Sequence, residues 1–463
     1  MTRVLTACWT FLTRERSLSL RAVERSRPAR PARPRRRRQR GIAIITVLIA
    51  ISLTLILTNQ FSTTTNIDSI AAANYRDQMR AHFLARSAVN FTEIVIRLQQ
   101  KLDGASKQLP QLAGVQITEF ANQLMLAFCG SPQEVRAAVG VDAAAASKGL
   151  GADIGTCGVV GSITTDDDKL NMNCANAADS YALTLKSALD ALVFFNAYDP
   201  LFEEADAENW RRDRELQVSA LVDYVDGNSI RGVNQRGTTE DYGYESLKDH
   251  YRQKNTYIDT VGELKLVRGV DDRFWTLFGS AFTVYGGCKM NLSAVSNVQL
   301  LAAILYLSVP EKNRTSEPMI QDPQKLFALA GLIAKARQYG MIFSNVDDFI
   351  KFAKDPCAEI GALAGQTTMQ GSQAQAAVGA GIPGCTSGIK LGMELDKKLV
   401  DQLARTGPRR TYRVEAWGEI ERPGTAFPPI RTTITGVWDT KVTIQNVRKP
   451  PAPKGTWVFL RED

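Results

Sequence analysis

The sequence predicts an α+β fold with a long N-terminal helix, a helical block, and an antiparallel sheet drawn largely from the C-terminal end. Three observations predict it. Residues 42–103 contain neither Gly nor Pro, so nothing in that stretch breaks a helix. Residues 178–355 place their apolar side chains mostly at helical spacing. The tail then switches to period two, with Pro-rich turns between its strands. This order is not the alternating βαβ of a parallel sheet.

The chain has 463 residues, enough for two or three compact domains. Its formal charge of +8 misleads. Thirteen arginines against Glu15 and Glu24 give residues 1–40 a local charge of +11, which leaves about −3 for the remainder. The folded body is mildly acidic, which disfavours contact with phosphate backbones and predicts no nucleic-acid partner.

The arginine run ends at Arg40-Gly41, and an apolar run begins at once, from Ile42 to Leu57. No charged residue occurs in 41–67. An uncharged stretch of roughly 20 residues spans a bilayer as a helix. Dense arginine on its N-terminal side is held in the cytoplasm by the positive-inside rule. The expected topology is one pass through the inner membrane, N-terminus cytoplasmic, body periplasmic. A buried core helix and a cleaved signal peptide are the rivals. One-sided arginine flanking disfavours the first. The second lacks a small-residue cleavage site, since Thr58-Asn59-Gln60-Phe61 follows the apolar run.

Beyond the membrane the same helix turns amphipathic. Ile67, Ile70, Ala71, Tyr75, Met79, Phe83, Leu84, Ala88, Phe91, Ile94, Val95 and Leu98 recur mostly three or four apart, which predicts one core-facing stripe. Thr63-Thr64-Thr65-Asn66 is expected to loosen the rod at the membrane exit, and Gly104 to stop it. Residues 105–138 read as helical and 139–158 as an Ala/Gly-rich loop. Residues 158–165 read as a strand, and 166–173 as a turn at Asp166-Asp167-Asp168 leading into a second strand.

Residues 178–287 read as helical, with stripes at Leu183, Leu185, Leu189, Leu192, Val193 and Phe194, then at Leu216, Ala220, Leu221, Val222 and Val225. Further helical pieces are expected at 255–267 and 272–277. A short strand at 290–292 precedes helices at 295–307 and within 322–355. Residues 362–389, rich in Gly, Ala and Gln, read as a long loop. Strands are expected at 411–420, 430–442 and 455–460.

Cys8 lies in the leader, and Cys129, Cys157, Cys174, Cys288, Cys357 and Cys385 follow the apolar run. An even number in an exported body predicts disulfides, but the sequence alone chooses no pairing. Zinc is disfavoured, because no C-x-x-C occurs and only His82 and His250 are available. Asp223, Asp226, Asn228, Glu240 and Asp241 form an acidic cluster of oxygen donors suited to Ca²⁺. Their spacing is not that of an EF-hand, and solvated surface acids are the ordinary reading. No P-loop, dinucleotide fingerprint or nucleophile motif points to an enzyme.

The junction Arg40-Gly41-Ile42-Ala43-Ile44-Ile45-Thr46 resembles the cleavage site of type IV pilin-like proteins. In those proteins a prepilin peptidase cuts after the Gly and methylates the new N-terminus, here Ile42. Most members carry Glu at the fifth mature position, where this chain has Thr46. The subgroup lacking that Glu is the general secretion pathway protein K family, the large minor pseudopilins of type II secretion. Asp168-Lys169-Leu170-Asn171-Met172-Asn173, Leu221-Val222-Asp223-Tyr224-Val225-Asp226, residues 251–270 and Lys289-Met290-Asn291-Leu292-Ser293-Ala294 resemble segments of that family, in family order. Two departures are a leader of 41 residues and a long, loose stretch over 310–400.

The resemblance implies a pilin-like fold carrying a large inserted α-helical domain. It divides the chain into a leader (1–41), a transmembrane and spine helix (42–103), and the first part of the pilin domain (104–175). An inserted helical domain (176–288), a helical extension and loop (289–400), and C-terminal pilin strands (401–463) complete it. It implies calcium in the helical domain and a non-enzymatic role at the tip of the periplasmic pseudopilus. Its partners would be other minor pseudopilins, the major pseudopilin, the prepilin peptidase, the inner membrane and exported proteins. A carboxylate in lipid is costly unless paired, so a subunit with Thr46 has no need of a neighbour above it. The rivals are a minor pilin of a type IV or competence pilus, binding a surface or DNA, and an uncleaved single-span periplasmic enzyme.

Overall fold

The computed structural model describes residues 42–105, 116–129, 155–205, 210, 213–228, 242–247, 249–338, 343–360, 391–422, 428–443 and 454–462. In chain order the principal helices are α1 (Ile42–Ala105), α2 (Ala121–Cys129), α3 (Asp179–Val193), α4 (Arg214–Asp223), α5 (Asp272–Phe278), α6 (Val298–Leu307), α7 (Pro323–Gln338), α8 (Val346–Lys354) and α9 (Lys397–Leu403). The strands are β1 (Thr156–Val159), β2 (Leu170–Asn171), β3 (Phe282–Thr283), β4 (Met290–Asn291), β5 (Ala404–Arg405), β6 (Thr411–Ile420), β7 (Ile430–Thr443) and β8 (Lys454–Glu462). The α+β class and the antiparallel sheet are those the sequence predicts. The chain divides into two compact units, Met1–Ala71 and Ala72–Asp463.

In the first unit the described residues are the opening part of α1, long and apolar enough to cross a membrane. Its side chains are exposed throughout. Over residues 42–61 its hydroxyls are satisfied within the helix. Ser52, Thr54 and Thr58 each donate to a carbonyl three or four residues earlier at 2.6–2.9 Å. That pairing makes a polar side chain tolerable in lipid. The expected loosening at Thr63–Asn66 does not occur. Thr63 donates to the Asn59 carbonyl at 2.9 Å, and the helix continues through it.

The second unit holds two cores. The smaller one packs the far half of α1 on the sheet β1-β6-β7-β8, in which every pairing is antiparallel. Ala85, Ala88, Val95 and Ile96 of α1 meet Tyr412, Val414 and Ala416 of β6 and Ile434 and Trp438 of β7. The buried face is Asp77, Ala81, Ala85, Ala88, Val89, Thr92, Val95, Ile96 and Gln99. The predicted single stripe is therefore corrected. Ala88 and Val95 face the sheet, whereas Tyr75, Met79, Phe83, Ile94 and Leu98 lie exposed on the other side, Phe83 at 60% and Ile94 at 62%. The reason is the closeness of the packing. A Cβ on Gly418 of β6 would overlap the Ala81 carbonyl and the Ala85 amide, so the facing positions take small residues.

The larger core is helical. Leu189 and Leu192 of α3, Leu221 of α4, Phe274 and Phe278 of α5, Leu301 and Ile304 of α6, and Leu329 and Ile333 of α7 are all buried in it. The ends of the first stripe, Leu183 and Phe194, are exposed instead. Helix α6 starts at Val298, later than the expected 295, because the Asn297 side chain caps it by accepting from the amides of Gln299 and Leu300. Of the expected helix at 255–267 only a 3-10 turn at Val261–Leu266 forms. It is opened by a capping box between Thr260 and Glu263, after Asn255 takes a left-handed φ of 46°.

The strand expected at 158–165 also shortens. β1 covers Thr156–Val159, Gly161 turns the chain at φ +66°, and Thr164 makes a lone bridge to Arg413. The second strand shrinks to β2. β2 pairs in parallel with β3, and β4 in parallel with β5. The chain leaves for the helical block after β2 and returns beside it at β3. The loop expected at 362–389 and most of that at 139–158 lie outside the described residues.

Candidate functional site

At the start of α1, Ile42 is the first described residue and is exposed, while Gly41 lies outside the described residues. Thr46 sits one turn in. Its hydroxyl donates to the carbonyls of Ile42 at 3.2 Å and Ala43 at 2.9 Å, so the side chain is neutral and internally satisfied. It offers no charge to a neighbouring amine.

The acidic cluster forms where α4 ends. Asp213 caps the start of α4 by accepting from the Leu216 amide at 2.7 Å. Asp223 closes the helix, and the chain turns through Tyr224, Asp226 and Asn228. Asp223 is 0% and Asp226 5% exposed, so these are not the solvated surface acids of the ordinary reading. The Tyr242 hydroxyl donates to Asp223 Oδ2. Asn228 donates to Asp226 through its side chain at 2.8 Å and its amide at 3.4 Å. Asn255 ties the turn down, donating to the carbonyls of Asn228 at 2.9 Å and Tyr224 at 3.1 Å. Glu240 and Asp241 lie outside the described residues. Among the described residues no group of three or more His, Cys, Asp or Glu is placed to hold a metal.

A second acidic set, Asp166-Asp167-Asp168, reads from sequence as a turn first and as a metal site second. The turn at Asp166-Asp167-Asp168 forms, with the Lys169 amide donating to the Asp166 carbonyl at 3.2 Å. All three aspartates are buried. Asp166 accepts from Arg413 at 2.6 and 3.1 Å and from Lys169 at 2.9 Å. Burial alone would raise its carboxyl, but the Arg413 hydrogen bonds and the Lys169 charge hold it below the usual carboxylate range.

Asp167 accepts from Arg405 Nη2 and the Arg410 amide, both at 2.5 Å, and from the Thr411 amide at 3.3 Å and hydroxyl at 2.9 Å. Asp168 accepts from Ser296 at 3.3 Å. Burial, with the Asp166 charge adding, pushes its carboxyl up to about 6. The available signal was three acids in the N-terminal half and arginines at 405, 409, 410 and 413. No local pattern pairs groups so far apart.

Two disulfides fasten these parts. Cys129–Cys157 joins α2 to β1 with its Cα atoms 5.1 Å apart. Cys174–Cys288 joins the exit from the sheet region to the return, at 5.6 Å. Cys357 is also disulfide-bonded, and Cys385 lies outside the described residues.

The segment that contains β2, the acidic cluster and the helices up to β3 is the part of the chain with a family match. Residues 169–285 match the family model described as type II secretion system (T2SS), protein K. Over those residues the chain carries a type II secretion protein K domain. No curated protein matches the chain in sequence. Among solved structures, the complex of GspK, GspI and GspJ from the type 2 secretion system of enterotoxigenic Escherichia coli resembles it at 13% identity. That likeness covers 67% of this chain and 80% of the matched chain, with a TM-score of 0.36. The protein K match itself is confined to residues 169–285.

Proposed function

We propose that this protein K subunit is non-enzymatic, caps the tip of the periplasmic pseudopilus and helps initiate its assembly for export across the outer membrane. The observation that carries this reading is the protein K domain at 169–285 on a chain whose α1 begins with a membrane-length apolar helix. The arginine-rich leader stays cytoplasmic, α1 crosses the inner membrane once, and the body lies in the periplasm, where its disulfides persist. A prepilin peptidase cuts after Gly41 and methylates Ile42. The apolar helix is then retained and packs against other minor pseudopilins and the major pseudopilin. Thr46, satisfied within its own helix, has no charge with which to recruit a subunit above it. That suits a terminal position. Exported proteins would meet the assembled tip.

The donor set of Asp223, Asp226 and Asn228 consists of oxygen ligands, and its two carboxylates are buried. We propose that these donors hold a Ca²⁺ ion, with Glu240 and Asp241 as further candidate ligands by their residue type. Such an ion would neutralise the buried acids and fix the turn after α4. A chelator should then lower the melting temperature and added Ca²⁺ restore it; an unchanged melt excludes the ion.

The deciding experiment is mass spectrometry of the mature N-terminus from membranes. N-methylated Ile42 is expected, with the smaller pseudopilins co-purifying. An intact residue 1, or partners drawn from a type IV pilus, overturns the proposal.

A further inference from the structure

A cleft of about 520 Å³ opens between the turn after β1 and the C-terminal end of α7. That volume lies within the range of about 300–1,000 Å³ usual for small-ligand sites. Three cations, Arg337, Arg409 and Lys169, line it, together with the acids Glu119 and Asp168 and with Ser296. Arg409 is matched, with Nη2 at 2.8 Å from Glu119 Oε1. Arg337 is not. Its Nε and Nη1 are buried without a hydrogen-bond partner among the described residues. Guanidinium N–H groups withdrawn from water with no acceptor are costly, and the charges of Glu119 and Asp168 offset this only in part. Burial, with the Arg409 charge adding, pulls its pKa down to about 10.

The acids in the cleft limit what can relieve that cost. Glu119 and Asp168 line the same space, and Asp168 Oδ1 is itself buried without a partner among the described residues. A dianion such as phosphate meets repulsion from both. A single carboxylate can accept from one of the orphaned N–H groups of Arg337 and brings one negative charge to a cleft that Lys169 and Arg409 also line. Small walls at Ala294 and Ala334 leave room for the carbon to which it is attached. We propose that this cleft binds one carboxylate group through Arg337, assisted by Arg409. The group belongs to a small organic acid or to an acidic side chain of a bound polypeptide.

The test uses the full chain in detergent and follows melting temperature and calorimetric binding. The probes are N-acetylglycinate, its neutral amide, a blocked Ala-Glu-Ala peptide, its Gln counterpart, and inorganic phosphate. Saturable binding of the two carboxylates and none of the two amides is expected. Arg337→Gln should weaken it at least ten-fold, and Arg337→Lys, which keeps the charge but not the guanidinium N–H groups, by less. If Arg337→Gln does not fold, Arg409→Gln should still weaken binding several-fold. Tighter binding of the Glu peptide assigns the group to a polypeptide, and tighter binding of the free acid to a small metabolite. Equal binding of acid and amide, tighter binding of phosphate, or full binding by Arg337→Gln overturns the proposal.

Discussion

Asp167 and Arg405 lie 2.5 Å apart across 238 residues of sequence. The same carboxylate accepts from the backbone at Arg410 and Thr411, so it ties the turn before β2 to β5 and to the start of β6. It is almost fully buried. Removing it leaves Arg405 without its partner and two amides without an acceptor. Asp167→Ala should therefore lower the unfolding free energy by about 3–5 kcal/mol. Arg405→Ala should cost less, because Asp167 keeps its backbone donors. Urea unfolding followed by circular dichroism should give a double mutant that costs less than the sum of the two; strict additivity contradicts the coupling.

Asp168 behaves in the opposite sense to its neighbour Asp166. Its folded-state pKa is raised from 3.8 to about 6, so the folded state favours the neutral acid. The stability it contributes is present below pH 4 and lost as pH rises through 6. Asp168→Asn should thus stabilise the protein by about 2–3 kcal/mol at pH 7.5 and change little at pH 4. Melting curves of both proteins across that range check it. A gap that does not widen with pH sinks the assignment.

Asp166, held below the usual range, contributes stability that is present above pH 4 and disappears as pH falls through its lowered folded pKa. Arg413→Gln should remove much of that contribution at pH 7 and reduce the difference in very acid solution. Stability of the two proteins measured from pH 7 down to pH 2 reports the convergence.

Gly418 is where α1 comes closest to the sheet. Any side chain there strikes backbone of Ala81 and Ala85 and lies 2.8 Å from the Leu84 Cβ. Gly418→Ala should cost about 1–3 kcal/mol through displacement of the helix, and Gly418→Val more. Amide hydrogen exchange should show faster opening of residues 77–96, and unchanged protection there counts against the packing described.

The Cys174–Cys288 bond closes a loop of 114 residues around much of the helical block. Replacing both with Ser should lower stability by about 2–5 kcal/mol. The wild-type protein melted with and without reductant gives the control; the double variant should lose part of its sensitivity to reductant, while the Cys129–Cys157 and Cys357 bonds still respond.

Much of the architecture was legible because it follows from local pattern. The apolar run behind the arginines needs only length and the absence of breakers to declare a membrane-length helix. The strands at 411–420 and 430–442 declare themselves by alternation, and β6 has the expected limits while β7 runs one residue further. The ordered motifs pointed to the protein K family.

The tertiary structure alone decided which side of α1 is buried. Periodicity counts apolar residues, but Ala81, Ala85 and Ala88 face the sheet because Gly418 admits only small neighbours, and Phe83 and Ile94 are left outside. It also decided that Cys129 meets Cys157, that Cys174 meets Cys288, and that Asp166 and Asp167 receive Arg413 and Arg405. Each of these pairings depends on where the chain returns after tens to hundreds of residues, a distance over which neighbouring side chains carry no information.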